Sequence, residues 1–174
     1  EDVLAAARRI FERGYERMKM YFIMGLPTET DEDVAGIVET GAAVRQVARE
    51  VGNKRAQITV SVSQHVPKPH TPFQWAAMDA MEDLESKVRM LKDLAKRAKV
   101  GLKTHSIRES WLECLFARGD RRMGEVLGRA YAAGARFDGW REGFSFDRWL
   151  DALEAEGIEP EVYTRTLPVD ARLP

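Results

Sequence analysis

The sequence predicts an α/β fold with parallel strands, continued by a small helical extension. Three observations lead there. Over residues 1–105 short apolar strands alternate with long amphipathic helices, a rhythm that needs helical crossovers and therefore parallel strands. Beyond His105 the strand pattern stops, and three helical stretches follow, each ended by glycine. The 174 residues, 44% hydrophobic and 32% charged, are enough for a packed globular core rather than a disordered chain.

The elements follow in chain order. Residues 1–18 read as an amphipathic helix with Val3, Leu4, Ala7, Ile10, Phe11 and Met18 on one face. Residues 19–25 are an apolar strand, and 25–30, "GLPTET", a turn. A helix then spans 31–50, with Thr30 and Asp33 as a capping-box pair and Asp31, Glu32 and Asp33 suited to the positive helix start. Its apolar stripe is Val34, Ile37, Val38, Val44 and Val47. After the "VGNKR" loop, residues 56–63, "AQITVSVS", alternate strictly as a strand does. "QHVPKPHTPFQW" holds too many prolines for regular structure and reads as a stiffened, extended loop. A helix over 79–99 turns Leu84, Val88, Leu91 and Leu94 or Ala95 inward, and "VGLKTH" forms a short strand. The boundary falls near 105, separating 1–105 from the helical extension 106–174, which holds Trp111, Trp140 and Trp149.

Charge and composition narrow the function classes. With 27 basic and 28 acidic residues the net charge is −1, which gives no global argument for nucleic acid or an acidic membrane. The single cysteine, Cys114, cannot form an internal disulfide, which fits a reducing cytoplasm. No apolar run is long enough to span a bilayer, and the charged N-terminal helix lacks the apolar centre of a signal peptide. There is no initiator Met and the first residues already lie in helical register, so the expectation is an excised piece of a longer protein.

The strand 56–63 carries chemistry on one side. Ile58, Val60 and Val62 point one way; Thr59, Ser61, Ser63 and, by continuation, His65 point the other. A parallel strand covered on both faces is apolar on both. A polar face is either solvated or lines the lumen of a barrel, where it suits a ligand. The "GLPTET" turn offers a backbone bend, two hydroxyls and Glu29, but lacks the lysine and glycine spacing of a phosphate-binding loop. His65, His70, His105 and Cys114 match no standard zinc spacing and read as ordinary loop or hydrogen-bonded side chains, with Cys114 in the core. In "RGDRR" (118–122) the basic run reads as a helix start with Asp120 as N-cap. No Ser-His-Asp set or acid pair emerges, so no catalytic and no metal-ligating residue is assigned.

The stretch "KMYFIMGLPTETDEDV", followed by "ITVSVSQHVPKPHTPFQW", resembles the last two barrel strands of radical S-adenosylmethionine enzymes. The similarity is greatest to a bacterial group of uncharacterised radical S-adenosylmethionine iron–sulfur oxidoreductases, whose C-terminal segment "ARGDRRMGEVLGRAYAAGARFDGW" also resembles. The resemblance implies a partial TIM-like barrel, of which this chain is the C-terminal half. It implies S-adenosylmethionine as cofactor, cleaved to a 5′-deoxyadenosyl radical at a [4Fe–4S] cluster held by a C-x3-C-x2-C motif. One cysteine cannot supply three thiolates, so the cluster ligands are expected upstream and this chain alone is expected to be inactive. The cofactor-side residues carried over are Phe22, Ile23, Met24 and Gly25 of the first strand, ending near Glu29, and Ser61, Ser63, His65 and Val66 at the end of the second. In the family pattern Gly-x-Ile-x-Gly-x-x-Glu, Ile23 and Gly25 fit, Tyr21 replaces the first glycine, and Glu29 falls one place late. The expected partners are the N-terminal remainder of the same polypeptide or a second copy paired through exposed sheet edges.

Two other readings compete. In one the chain is an interaction module for protein or RNA, with "FDGWREGFSFDRW" as its contact surface. In the other it is an unrelated α/β enzyme that uses the Gly-Pro turn for a phosphate. The substrate is not legible in either the residues or the resemblance.

Overall fold

The computed structural model describes residues 2–136, 138–139 and 143–171. The chain groups into two compact units, Glu1–His65 with Ala80–Ile107, and Val66–Asp79 with Arg108–Pro174. The proline-rich loop therefore belongs with the C-terminal helices, although it lies between two strands in sequence.

The first unit holds α1 (Asp2–Glu12), β1 (Arg17–Met24), α2 (Asp31–Glu50), β2 (Gln57–Gln64), α3 (Met81–Ala98) and β3 (Gly101–Thr104). The three strands form a parallel sheet in the order β1-β2-β3, with Tyr21 opposite Ser61 and Ser61 opposite Lys103. Helix α1 is shorter than its periodicity predicts. Gly14 takes φ of 84°, which breaks the helix, and Met18 is already in β1. Val3, on the expected apolar face, is exposed.

Helices α1, α2 and α3 pack side by side, and α2 rests on the sheet. The approach is close at Gly41, where a Cβ would stand 2.9 Å from Val100 Cγ1 and 3.1 Å from Val60 Cγ1. Val34, Ile37, Val38, Val44 and Val47 of α2 are buried, as are Leu84, Val88, Leu91 and Ala95 of α3. Against them lie Met20 and Met24 of β1 and Ile58, Val60 and Val62 of β2. Each Val, Leu, Ile or Met among them contributes about 1.5–3 kcal/mol of burial. Thr30 and Asp33 form the capping box, so the first turn of α2 starts where the sequence placed it.

The second unit holds α4 (Ile107–Arg118), α5 (Met123–Ala132), α6 (Phe146–Ala155) and a short α7 (Glu161–Thr164) that the periodicity did not reveal. Gly134 and Gly157 follow α5 and α6 with positive φ. Trp111 and Trp149 are buried and meet Phe146 and Phe116 edge-on, with ring centroids 5.5 Å apart in each pair. Trp140 lies outside the described residues. Residues 75–78 are tied to the C-terminal segment: Met78 donates to the Thr164 carbonyl, Leu167 to that of Trp75, and Trp75 Nε1 to that of Ala171.

Candidate functional site

The sheet has two unlike faces. Even-numbered residues of β1 and β2 point to the helices, and Met24, Val60 and Val62 are fully buried there. Odd-numbered residues point away, carrying Tyr21 and Ile23 of β1 (74% and 53% exposed) beside Thr59, Ser61 and Ser63 of β2. The alternation that reads as a polar strand face in the sequence is thus the side of the sheet opposite its helices. Ser61 is buried within the sheet, and the Ser63 hydroxyl lies 3.4 Å from the Phe22 carbonyl. The ladder runs one residue past β2, since His65 N–H donates to the Met24 carbonyl at 2.7 Å.

At the carboxyl end of β1 the chain turns sharply. Gly25 has φ of 82°, and the Glu29 N–H donates to the Leu26 carbonyl at 3.0 Å. With Pro27 and Thr28 in the middle and φ of 69° at Thr28, this is a type II turn with a β-branched residue where glycine is favoured. Glu29 Oε1 accepts from both the Gly25 N–H and Lys87 Nζ, each at 2.8 Å. The Glu29 and Lys87 side chains are 6% and 16% exposed, so the pair fastens the turn to α3 from within. Beside the turn a groove of about 580 Å³ runs along β1 and α2, lined by Phe22, Ile23, Leu26, Thr28, Gly36 and Thr40. Its turn side coincides with the "GLPTET" bend, and its α2 side is marked in the sequence by the small residues Gly36 and Thr40, one helical turn apart.

The structure brings together Ile23, Gly25, Ser61 and Ser63 as one end of the polar face. Phe22 and Met24 turn toward the helices, Met24 entirely so. Glu29 engages the turn and α3. His65 is buried, and Val66 begins the second unit and is half-buried.

The remaining chemistry-bearing residues have structural settings. Arg118 is 2% exposed and donates to the Ala76 and Arg165 carbonyls at 2.7 and 3.0 Å, clasping loop and C-terminal segment. Burial lowers its pKa. Asp120 receives the Arg122 N–H and guanidinium and the Tyr163 hydroxyl, which hold its carboxyl well below the usual range. It does not stand as the N-cap of α5, which is Arg122, but braces the turn before it. Cys114 is fully buried, and burial pushes its thiol up to about 11. Enclosed in the core, this single cysteine cannot by itself hold an iron–sulfur cluster. Among the described residues no group of three His, Cys, Asp or Glu is placed to hold a metal ion, and no helix is long and apolar enough to cross a membrane.

Fold and site together define an α/β chain with a parallel sheet that is apolar beneath its helices and hydroxyl-lined opposite them. The sequence is similar to an uncharacterised protein of Methanocaldococcus jannaschii, 26% identical over 145 residues. The match covers 83% of this chain and 31% of that protein, so the chain spans about a third of its length. No family model matches the sequence, and no solved structure does.

Proposed function

We propose that this chain is the C-terminal part of a radical S-adenosylmethionine core, an arc of a partial TIM-like barrel that contributes the adenine side of the cofactor site. The observation that carries the reading is the polar face opposite the helices, ending at the Gly25 turn. Helices packed on one face and strands in sequential order are what an arc of a barrel requires, with the inward face left to a ligand. Ile23 offers an exposed apolar surface and Ser63 a hydroxyl, a pairing that suits an adenine ring. The cluster would supply the radical chemistry when bound, and its ligands would come from a segment outside this chain.

The test uses the longer parent protein, reconstituted anaerobically with iron and sulfide. We expect about four irons and four sulfides per chain, and cleavage of S-adenosylmethionine under reducing conditions. A parent protein without a C-x3-C-x2-C motif, or one that takes up no iron, overturns the reading.

A second reading, an interaction module, draws on the C-terminal unit. There an apolar groove of about 360 Å³ is lined by Leu112, Phe116, Leu127, Phe144 and Trp149. Trp149 is 7% exposed and donates to Asp138 Oδ2 at 2.6 Å, which makes it part of the packing as well as the groove wall.

A further inference from the structure

The face opposite the helices has a second property, its charge. Strands β1, β2 and β3 contain no acidic residue. Their three charged residues, Arg17, Lys19 and Lys103, all lie on that face, in a protein whose net charge is −1. Lysines on edge strands discourage edge-to-edge pairing. That role does not account for the rest of the row. Tyr21 stands in it 74% exposed, with Lys19 Nζ 4.6 Å from its ring centroid and the Ser61 hydroxyl between it and Lys103. Two strand spacings, about 10 Å, separate Tyr21 from Lys103, a gap that the flexible lysine stem shortens.

An exposed ring on an open sheet offers stacking to a planar group, and flanking cations offer contacts to an anion. We infer that the middle of this face, around the exposed Tyr21, Lys19 and Lys103, binds a planar ring bearing a phosphate, a mononucleotide in chemical class, with the ring on Tyr21 and the phosphate between Lys19 and Lys103. The inference goes beyond the proposed function. There the cofactor lies at the carboxyl ends of the strands, near Gly25 and Ser63; this row adjoins that end at Ser61 and is centred on Tyr21 and Lys103, further down the strands. It holds whether the face lines a lumen or a surface.

The test is a titration of the ¹⁵N-labelled 174-residue chain with uridine 5′-monophosphate, followed by amide shifts. Uridine and inorganic phosphate are titrated in parallel. We expect the nucleotide to move the amides of Tyr21, Ser61 and Lys103, and to bind more tightly than either half alone. Binding should vanish near about 1 M salt, where screening is complete within about 3 Å. Lys103→Gln should weaken it about tenfold, the loss of one contact to a charged group. Tyr21→Ala should reduce it to the level of phosphate, and Lys54→Gln, in a loop, should change nothing. Lys19→Gln serves where Lys103→Gln disturbs the spectrum of the free chain. No shift on this face, shifts indifferent to Lys103→Gln and Lys19→Gln alike, or phosphate binding as tightly as the nucleotide would each overturn the inference. None of these readouts depends on iron or S-adenosylmethionine, so its failure is separable from that of the proposed function.

Discussion

Glu29 illustrates how a residue that looks like a ligand can be absorbed by the fold. One of its oxygens accepts from Gly25 and from Lys87, and the carboxylate is almost wholly enclosed. Removing an enclosed carboxylate strips two donors of a shared acceptor, a loss of about 2–3 kcal/mol. Glu29→Ala should therefore lower the unfolding free energy from urea titration by that amount, and Lys87→Met should do nearly as much. Because the two groups touch, the double variant should cost less than the sum, with a coupling energy of about 1–2 kcal/mol. Additive losses would mean that Glu29 and Lys87 act separately and that the turn is held by something else. The interaction joins residues 58 apart, so nothing local in the sequence signals it. The neighbouring capping box, Thr30 with Asp33, was legible because its partners lie three residues apart.

At the level of elements, the strands and long helices follow from their periodicity. The alternation in "ITVSVS" identified which side of β2 carries hydroxyls, because a strand's side-chain period leaves no other choice. The proline loop was legible only as stiff. Its hydrogen bonds to residues 164–171 run between segments 86 to 96 residues apart, and Arg118, which clasps both, reads in sequence as one more solvated cation. Cys114, one turn before Arg118 on α4, tests how tightly this helix is enclosed. Its raised pKa means that about one thiol in a thousand is ionised at pH 8. Alkylation by iodoacetamide at pH 8 should accordingly proceed no faster than unfolding. The sign of the accompanying pH dependence follows from the direction of the shift. Because the folded-state value lies above the ordinary 9.0, the contribution is fully present below about pH 9 and is lost as pH rises toward 11. Rapid native-state alkylation would show α4 to be open.

For the molecule as a whole, the telling feature is the outer edge of β1. Gln57 N–H donates to the Glu16 carbonyl and His65 N–H to that of Met24, both at 2.7 Å. In a parallel ladder this phase assigns the even-numbered residues of β1 to β2 and directs the N–H and C=O groups of Lys19, Tyr21 and Ile23 outward. An eight-residue edge of that kind is a template for another strand. Under the proposed function a strand from the parent polypeptide fills it, and hydrogen exchange separates the cases residue by residue. In dilute solutions of this chain the amides of Met20 and Phe22 should be protected while those of Lys19, Tyr21 and Ile23 exchange at nearly unprotected rates. In the parent protein both sets should be protected. Protection of the odd-numbered amides that grows with the concentration of this chain would instead reveal copies pairing edge to edge. Odd-numbered amides that exchange freely in the parent protein would mean that no strand is added at β1. The sheet would then end where it ends here, and the barrel reading would fail with it.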